Sequence, residues 1–503
     1  MHKRTSQLKV DYDRGAHVSR SASNSYSSAA QNDSHIALNP YLQGMYRPVS
    51  SEQTRLGLPV IGEIPNELYG AYVRNGPNPV QSPSVMHHWF DGDGMMHALW
   101  FENGRAEYRN RYVRSQDFVD DLRGDCPTAG VMLPATGERP EKPYKDTANT
   151  DVILHNGQLL GLWYISGHPV RVDPRTLTTL GEDDFGGQLP GHVSAHSKTD
   201  PKTGELIFFD YGLYEPWMSW GIVDRNNQLT HFQKVALPGP RLPHDMAFTE
   251  NHVILHDLPV VFTEQALQQK RWSIEVRDQP ARFGVVPKYG KGTELRWFET
   301  DPCYIYHVIN AWEEGEEIVM QACKMVPNPR QPNSRFGPYT AMVHVLSLHA
   351  VPCEWRMNLR TGECRHRQLD DRLSEFPTIN LEHSGRPSRF AYIQSIADAD
   401  TLRFDGFYKY DLLSGHCEQY RFERNMFGSE VAFAPRPGGS GEDDGWLIGF
   451  CSHASGESAE ARIWQADDLA AGPIARIPLP CRVPAGFHAT WADGRDIDRA
   501  RHP

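Results

Sequence analysis

Asp151-Val-Ile-Leu-His155, then Asn156-Gly157, then Gln158-Leu-Leu-Gly-Leu-Trp-Tyr164: two short apolar runs flank an Asn-Gly pair. Asn-Gly accepts positive φ at both centres of a type I′ turn, whose twist matches paired strands. The stretch therefore predicts a β-hairpin. The same texture recurs from about residue 39 to the end. Glu205-Leu-Ile-Phe-Phe-Asp-Tyr, His252-Val-Ile-Leu-His, Glu317-Ile-Val-Met-Gln-Ala, Arg389-Phe-Ala-Tyr-Ile-Gln and Gly445-Trp-Leu-Ile-Gly-Phe are further runs of strand length. Asp173-Pro-Arg-Thr-Leu, Asp200-Pro-Lys-Thr-Gly and Asn358-Leu-Arg-Thr-Gly supply turns between them. Helical windows are scarce, and Glu264 to Gln269 is the best of them. Many short strands with regular turns predict an all-β chain, too long for one sandwich. A β-propeller of four-stranded blades, at roughly 40–50 residues each, accommodates the length. The repeat is degenerate and leaves the number of blades open.

Residues 1 to 35 differ in kind. Ser19-Arg-Ser-Ala-Ser-Asn-Ser-Tyr-Ser-Ser-Ala-Ala has no apolar period and cannot offset the entropy of ordering. A disordered tail is expected there, with one propeller domain over 36–503. Pro- and Gly-rich stretches at 124–146, 278–292, 325–339 and 435–445 predict long loops, which in a propeller gather on one face over a site.

The 503 residues are 39% hydrophobic and 11% aromatic, enough for a large core. With 51 basic and 63 acidic side chains the formal charge is −12, which disfavours nucleic-acid binding. No apolar run reaches the ~18 residues of a membrane-spanning helix. No leader pattern opens the chain, so a cytoplasmic protein with at most peripheral membrane contact is expected. Eight Cys without a CxxC pair fit a reducing compartment better than a disulfide framework.

Of 23 His, four stand at strand starts or inside apolar runs. His196 lies in Gly191-His-Val-Ser-Ala-His-Ser-Lys, and His244 in Leu242-Pro-His-Asp-Met-Ala-Phe. His307 lies in Cys303-Tyr-Ile-Tyr-His-Val-Ile-Asn, and His488 in Pro484-Ala-Gly-Phe-His-Ala-Thr-Trp. The intervals are 244 − 196 = 48, 307 − 244 = 63 and 488 − 307 = 181, the last about three times the others. One His per blade on inner strands would aim several imidazoles at a common axis, a donor set suited to Fe, Zn or Cu. Singly, each is more readily a core or turn histidine than a ligand.

Tyr72-Val-Arg-Asn-Gly-Pro-Asn-Pro and His88-Trp-Phe-Asp-Gly-Asp-Gly-Met-Met-His-Ala resemble the N-terminal signatures of the carotenoid cleavage oxygenases. The four His segments are similar to that family's iron-ligand segments, in the same order. The resemblance runs from about residue 40 to the end. It implies a seven-bladed β-propeller with a loop and helical cap over the metal face. It implies Fe(II) held by His196, His244, His307 and His488, and cleavage of a C=C bond by O2 into two carbonyl products. Four neutral imidazoles fill four of six octahedral positions and leave two for O2 or water. The substrate implied is an apolar carotenoid or apocarotenoid. A smaller stilbenoid or phenylpropenoid alkene is the alternative. The family also includes an isomerohydrolase that leaves the alkene whole. A metal-free binding platform is the remaining rival; it would tolerate His→Ala at all four positions.

A ligating His usually has its other ring nitrogen held by a carboxylate or carbonyl. The resemblance implies three Glu for this task. Glu375 in Ser374-Glu-Phe-Pro-Thr-Ile-Asn and Glu430 in Gly428-Ser-Glu-Val-Ala-Phe match two of them. The third departs: in Leu159-Leu-Gly-Leu-Trp-Tyr-Ile-Ser-Gly, Tyr164 falls at or beside the family's Glu, and the Lys of stilbene-cleaving members is absent too. A phenol carries no charge near pH 7, so one ligand is oriented by water or the phenol, or held less firmly. The aromatic segments 213–220 and 258–262 are expected to wall a substrate tunnel, with packed core as the alternative. Asp91-Gly-Asp-Gly resembles part of a Ca2+ loop, with Glu102 at the twelfth place. Met95 and Met96 stand at the fifth and sixth, so a tight turn with a positive-φ glycine is expected instead.

Overall fold

The Asn156-Gly157 pair turns the chain as read: both residues have positive φ, and Asp151–His155 pairs antiparallel with Gln158–Leu162. A computed structural model describes residues 37–81, 83, 86–124, 131, 144–213, 215–269 and 273–501. The expected tail at 1–35 and most of the 124–146 loop lie outside them.

Seven antiparallel blades follow one another along the described residues. Four are separate four-stranded meanders, running from Asp151–His155 to Thr179–Glu182, Lys198–Thr199 to Leu229–Lys234, Ala247–Phe248 to Arg296–Thr300, and Ile305–Glu314 to Cys364–Gln368. Two more, from Ser374–Thr378 to Cys417–Arg421 and from Ala432–Pro435 to Pro473–Pro478, are joined into one sheet by Met426–Gly428. The remaining sheet orders Gln53–Arg55, Arg105–Tyr112, Met95–Glu102, Gly70–Arg74 and Ala489–Asp493. Its last member comes from the far end of the chain and pairs Gly70 with Asp493 and Arg74 with Ala489. This pairing closes a seven-bladed propeller. The first strands of successive blades abut around the axis, as Ala489–Asp493 does Asp151–His155 and Ile305–Glu314 does Ser374–Thr378. Hydrophobic clusters fill the wedges between blades. One packs Ile254, Phe283 and Val285 against Met320, Cys353 and Trp355 of the next blade.

The cap is built from short helices: Pro40–Leu42, Gly44–Tyr46, Trp89–Asp91, Ser334–Tyr339 and Thr340–Leu346. Their side chains, among them Tyr41, Trp89, Tyr339 and Leu346, share one apolar cluster with Phe376, Leu402 and Phe487. Glu264–Gln269 is helical as expected. Among the described residues no helix is long and apolar enough to cross a membrane.

Three expectations need correction. The 278–292 stretch is not a loop, because Ala281–Pro287 is a central strand of its blade with Phe283 and Val285 buried. Its glycine is there for closeness: a Cβ on Gly284 would stand 2.9 Å from the Trp297 ring. The long loops also divide between the faces. The 325–339 segment joins the cap, whereas Arg436, Pro437 and Gly438 border a polar channel on the other side. Asp91-Gly-Asp-Gly does form a turn without calcium geometry, and Met95–Glu102 is already a strand. Gly92 has φ −67, however, and a Cβ on it would meet Pro77 at 2.8 Å. Close approach, not positive φ, requires that glycine.

Candidate metal centre

Each of the four histidines stands where a blade begins. His196 precedes Lys198–Thr199, His244 precedes Ala247–Phe248, His307 lies in Ile305–Glu314, and His488 precedes Ala489–Asp493. The fold brings all four to the axis. Ring centroids lie 4.7 Å apart for His196 and His244, 4.6 Å for His196 and His488, 4.6 Å for His307 and His488, and 5.2 Å for His244 and His307. One nitrogen from each of His196, His307 and His488 falls within 4.8 Å of the others, and His244 Nε2 lies 3.3 Å from His307 Nε2. Convergence of buried imidazoles without polar partners between them is the geometry of a metal site. His196 Nε2 is buried with no hydrogen-bond partner among the described residues, an orphan that a metal ion would satisfy.

Burial and the neighbouring imidazoles hold His196, His244 and His307 well below the usual histidine range, so they are neutral donors near pH 7. Burial pulls His488 the same way, but the carboxylate of Glu430 outweighs it and raises this ring.

The rings are fixed from behind. His307 Nδ1 lies 2.5 Å from Glu375 Oε2, which also accepts the Phe376 N–H. His488 Nδ1 lies 3.3 Å from Glu430 Oε2, which accepts the Ala489 N–H. Burial pushes the Glu375 carboxyl up to about 8. His196 and His244 both have φ near +66, a left-handed conformation that non-glycine residues hold only when surroundings impose it. What imposes it is a pair sequence reasoning missed. Asp245 accepts from Met246 N–H and from Val308 N–H at 2.7 Å, and Lys198 Nζ donates to Asp245 at 2.7 Å and to the His196 carbonyl at 3.1 Å. One ion pair thus ties the His196, His244 and His307 segments together. The only signal in the sequence was adjacency: each partner sits within two residues of a predicted ligand.

On the cap side the rings of His244, His307 and His488 open on a cavity. Phe90, Tyr164, Tyr306, Leu346, Phe376 and Phe487 are among its walls, and no Asp, Glu, Lys or Arg lines it among the described residues. Tyr164 is therefore a cavity wall, its ring against Phe90 at 5.0 Å. The segments 213–220 and 258–262 are not part of this wall. Leu213, Met218, Trp220, Val260 and Phe262 lie in a packed core cluster instead. On the other side of the rings is the polar channel, bordered by Asp151, Lys198, Asp245 and Glu430. The histidine cluster divides an apolar chamber from a polar channel.

The sequence profile described as Retinal pigment epithelial membrane protein matches residues 46–493. The chain is 32% identical over 489 residues to a carotenoid 9,10(9',10')-cleavage dioxygenase 1 of Phaseolus vulgaris, covering 89% of this chain and 88% of that one. It is 29% identical over 478 residues to an isoeugenol monooxygenase of Pseudomonas putida, covering 90% and 98%. Among solved structures, the lignostilbene dioxygenase of Pseudomonas brassicacearum superposes with TM-score 0.80 at 26% identity, covering 91% of this chain and 99% of that one. A cobalt-substituted Synechocystis oxygenase gives 0.78 at 26% identity, with the same coverage.

Proposed function

The chain belongs to the retinal pigment epithelial membrane protein family, and from that premise we propose that it is a ferrous dioxygenase cleaving a C=C bond of a carotenoid or apocarotenoid. The observation that carries this reading is the convergence of four buried imidazoles, three of which (His244, His307 and His488) floor a chamber with no charged wall among the described residues. His196, His244, His307 and His488 would hold the iron. Four uncharged donors leave its full 2+ charge in place. Bound Fe(II) supplies the activation of triplet O2 that an alkene alone does not provide.

The chain's own residues do the rest. Glu375 and Glu430 accept the ring N–H of His307 and His488 and thereby keep Nε2 free as the donor. Trp89, Phe376 and Phe487 present apolar surface on which a flat polyene can lie, and the cap keeps bulk water from the reacting carbon atoms. A cavity with no Lys or Arg among its described walls favours a neutral alkene over a phenolate. Replacing the carboxyl group behind one ring by an amide tests the assignment. In Glu375→Gln, iron retention measured by chelator competition is expected to fall by roughly 10–100-fold while the melting temperature of the metal-free chain holds. Unchanged retention would take Glu375 out of the site.

The same chemistry on a stilbenoid or phenylpropenoid alkene is the second reading, favoured by likeness to a lignostilbene dioxygenase and by the Tyr164 and Tyr306 side chains in the wall. Mass spectrometry of the Fe(II) protein supplied with O2 and either an apocarotenal or a hydroxystilbene separates the two. Two aldehydes from the apocarotenal are expected. Cleavage of the stilbene alone would transfer the enzyme to the second reading.

A further inference from the structure

Each blade sends one side chain to the axis. In chain order they are Asp151, His196, His244, His307, Glu375, Glu430 and His488, and every one lies in, or up to three residues before, the first strand of its blade or the strand that closes the ring. Six of the seven are already accounted for as imidazoles and the carboxylates behind two of them. Asp151 is the seventh. It opens Asp151–His155 at the wall of the polar channel, beside His196.

Its carboxylate is held in one orientation, because Oδ1 accepts the Val152 N–H at 2.7 Å. Oδ2 accepts the backbone N–H of His196 at 3.0 Å and lies 3.6 Å from His196 Nδ1. The latter is just outside hydrogen-bond distance. The opposite nitrogen of that ring is the orphaned Nε2 that faces the other imidazoles. A ring whose Nε2 serves as donor must carry its proton on Nδ1, and Asp151 is the acid on that side. No carboxylate stands on the ring of His244 among the described residues; its segment is fixed by Asp245 through the backbone.

We propose that Asp151 is the third carboxylate of the metal centre, a positioning residue for His196. The site then has three acids behind four imidazoles, on His196, His307 and His488. The proposal rests on the metal reading above, and the test separates the two.

Cobalt(II) is the probe, added to the metal-free full chain. Wild type is expected to bind it; failure to bind would overturn the metal reading and this proposal with it. Asp151→Asn keeps an acceptor for the backbone N–H but loses the charge. Its cobalt affinity is expected to fall by roughly 10–100-fold with a shifted visible spectrum. The metal-free melting temperature should stay unchanged. Wild-type affinity and spectrum in Asp151→Asn would overturn the proposal and leave the metal reading standing. A second measurement needs no variant. In the wild-type cobalt protein three ring N–H protons, those of His196, His307 and His488, should exchange slowly with solvent. Slow exchange at only His307 and His488 would overturn the role of Asp151.

Discussion

The His307→Ala protein is expected to be folded, almost free of iron and inactive toward the alkene. His307 is central to the cluster: its Nε2 lies 3.3 Å from that of His244, and its ring centroid lies 4.9 Å from His196 and 4.6 Å from His488. Removing it takes away one of four donors and uncovers the space between the rest. The fold should survive because Ile305–Glu314 is a ten-residue strand paired along its length with Glu317–Met325, and alanine keeps that backbone. The main structural cost is Glu375, fully buried and left with only the Phe376 N–H. Burial already favours its neutral form, so the cost is about 1–3 kcal/mol. That is less than the ~5–15 kcal/mol of a typical domain. Metal analysis, circular dichroism and product assay on one preparation check the three parts. Full turnover would remove His307 from the metal.

Leu346→Trp should give the opposite pattern: iron retained and turnover lost. Leu346 ends the cap helix Thr340–Leu346, is buried, and hangs into the chamber over the imidazoles. An indole there takes up space the substrate needs without touching the donor set. Overpacking costs about 1–3 kcal/mol, which the protein tolerates. A fall in kcat/KM of roughly 100-fold is expected, the scale of a substrate displaced by about an ångström. Iron stoichiometry should match wild type. Normal cleavage would mean that the alkene reaches the metal by another route. Together the two variants separate holding the metal from admitting the substrate.

Much of this architecture is legible in the chain because a half-buried strand writes its period and its turns into the sequence. The Asn156-Gly157 hairpin is the plainest case. The histidine spacing also has a structural meaning. The long gap between His307 and His488 holds two further blades, and those blades contribute Glu375 and Glu430 instead of imidazoles. What stayed hidden depends on contacts between blades. Asp151 reads as the first residue of an apolar strand, and only the packing of the next blade sets it against His196. The aromatics at 213–220 were misassigned for a similar reason. Whether Trp220 faces a packed wedge or an open chamber is decided by which strand of a blade carries it, and composition is the same in both cases. Ala281–Pro287 escaped notice because its Gly284 and flanking prolines look like a loop until Trp297 claims the space.

The pairing of Gly70–Arg74 with Ala489–Asp493 gives the molecule a history as well as a shape. During synthesis the first blade is made without one of its strands and keeps an open edge, ready to pair wrongly, while six others are completed. The missing strand arrives with His488, the residue just before it. The donor set is therefore completed in the same event that seals the ring, and no ion can be held by all four imidazoles before then. Once seated, the ion links the last-made segment to blades made long before, so that it acts as a latch on the closure.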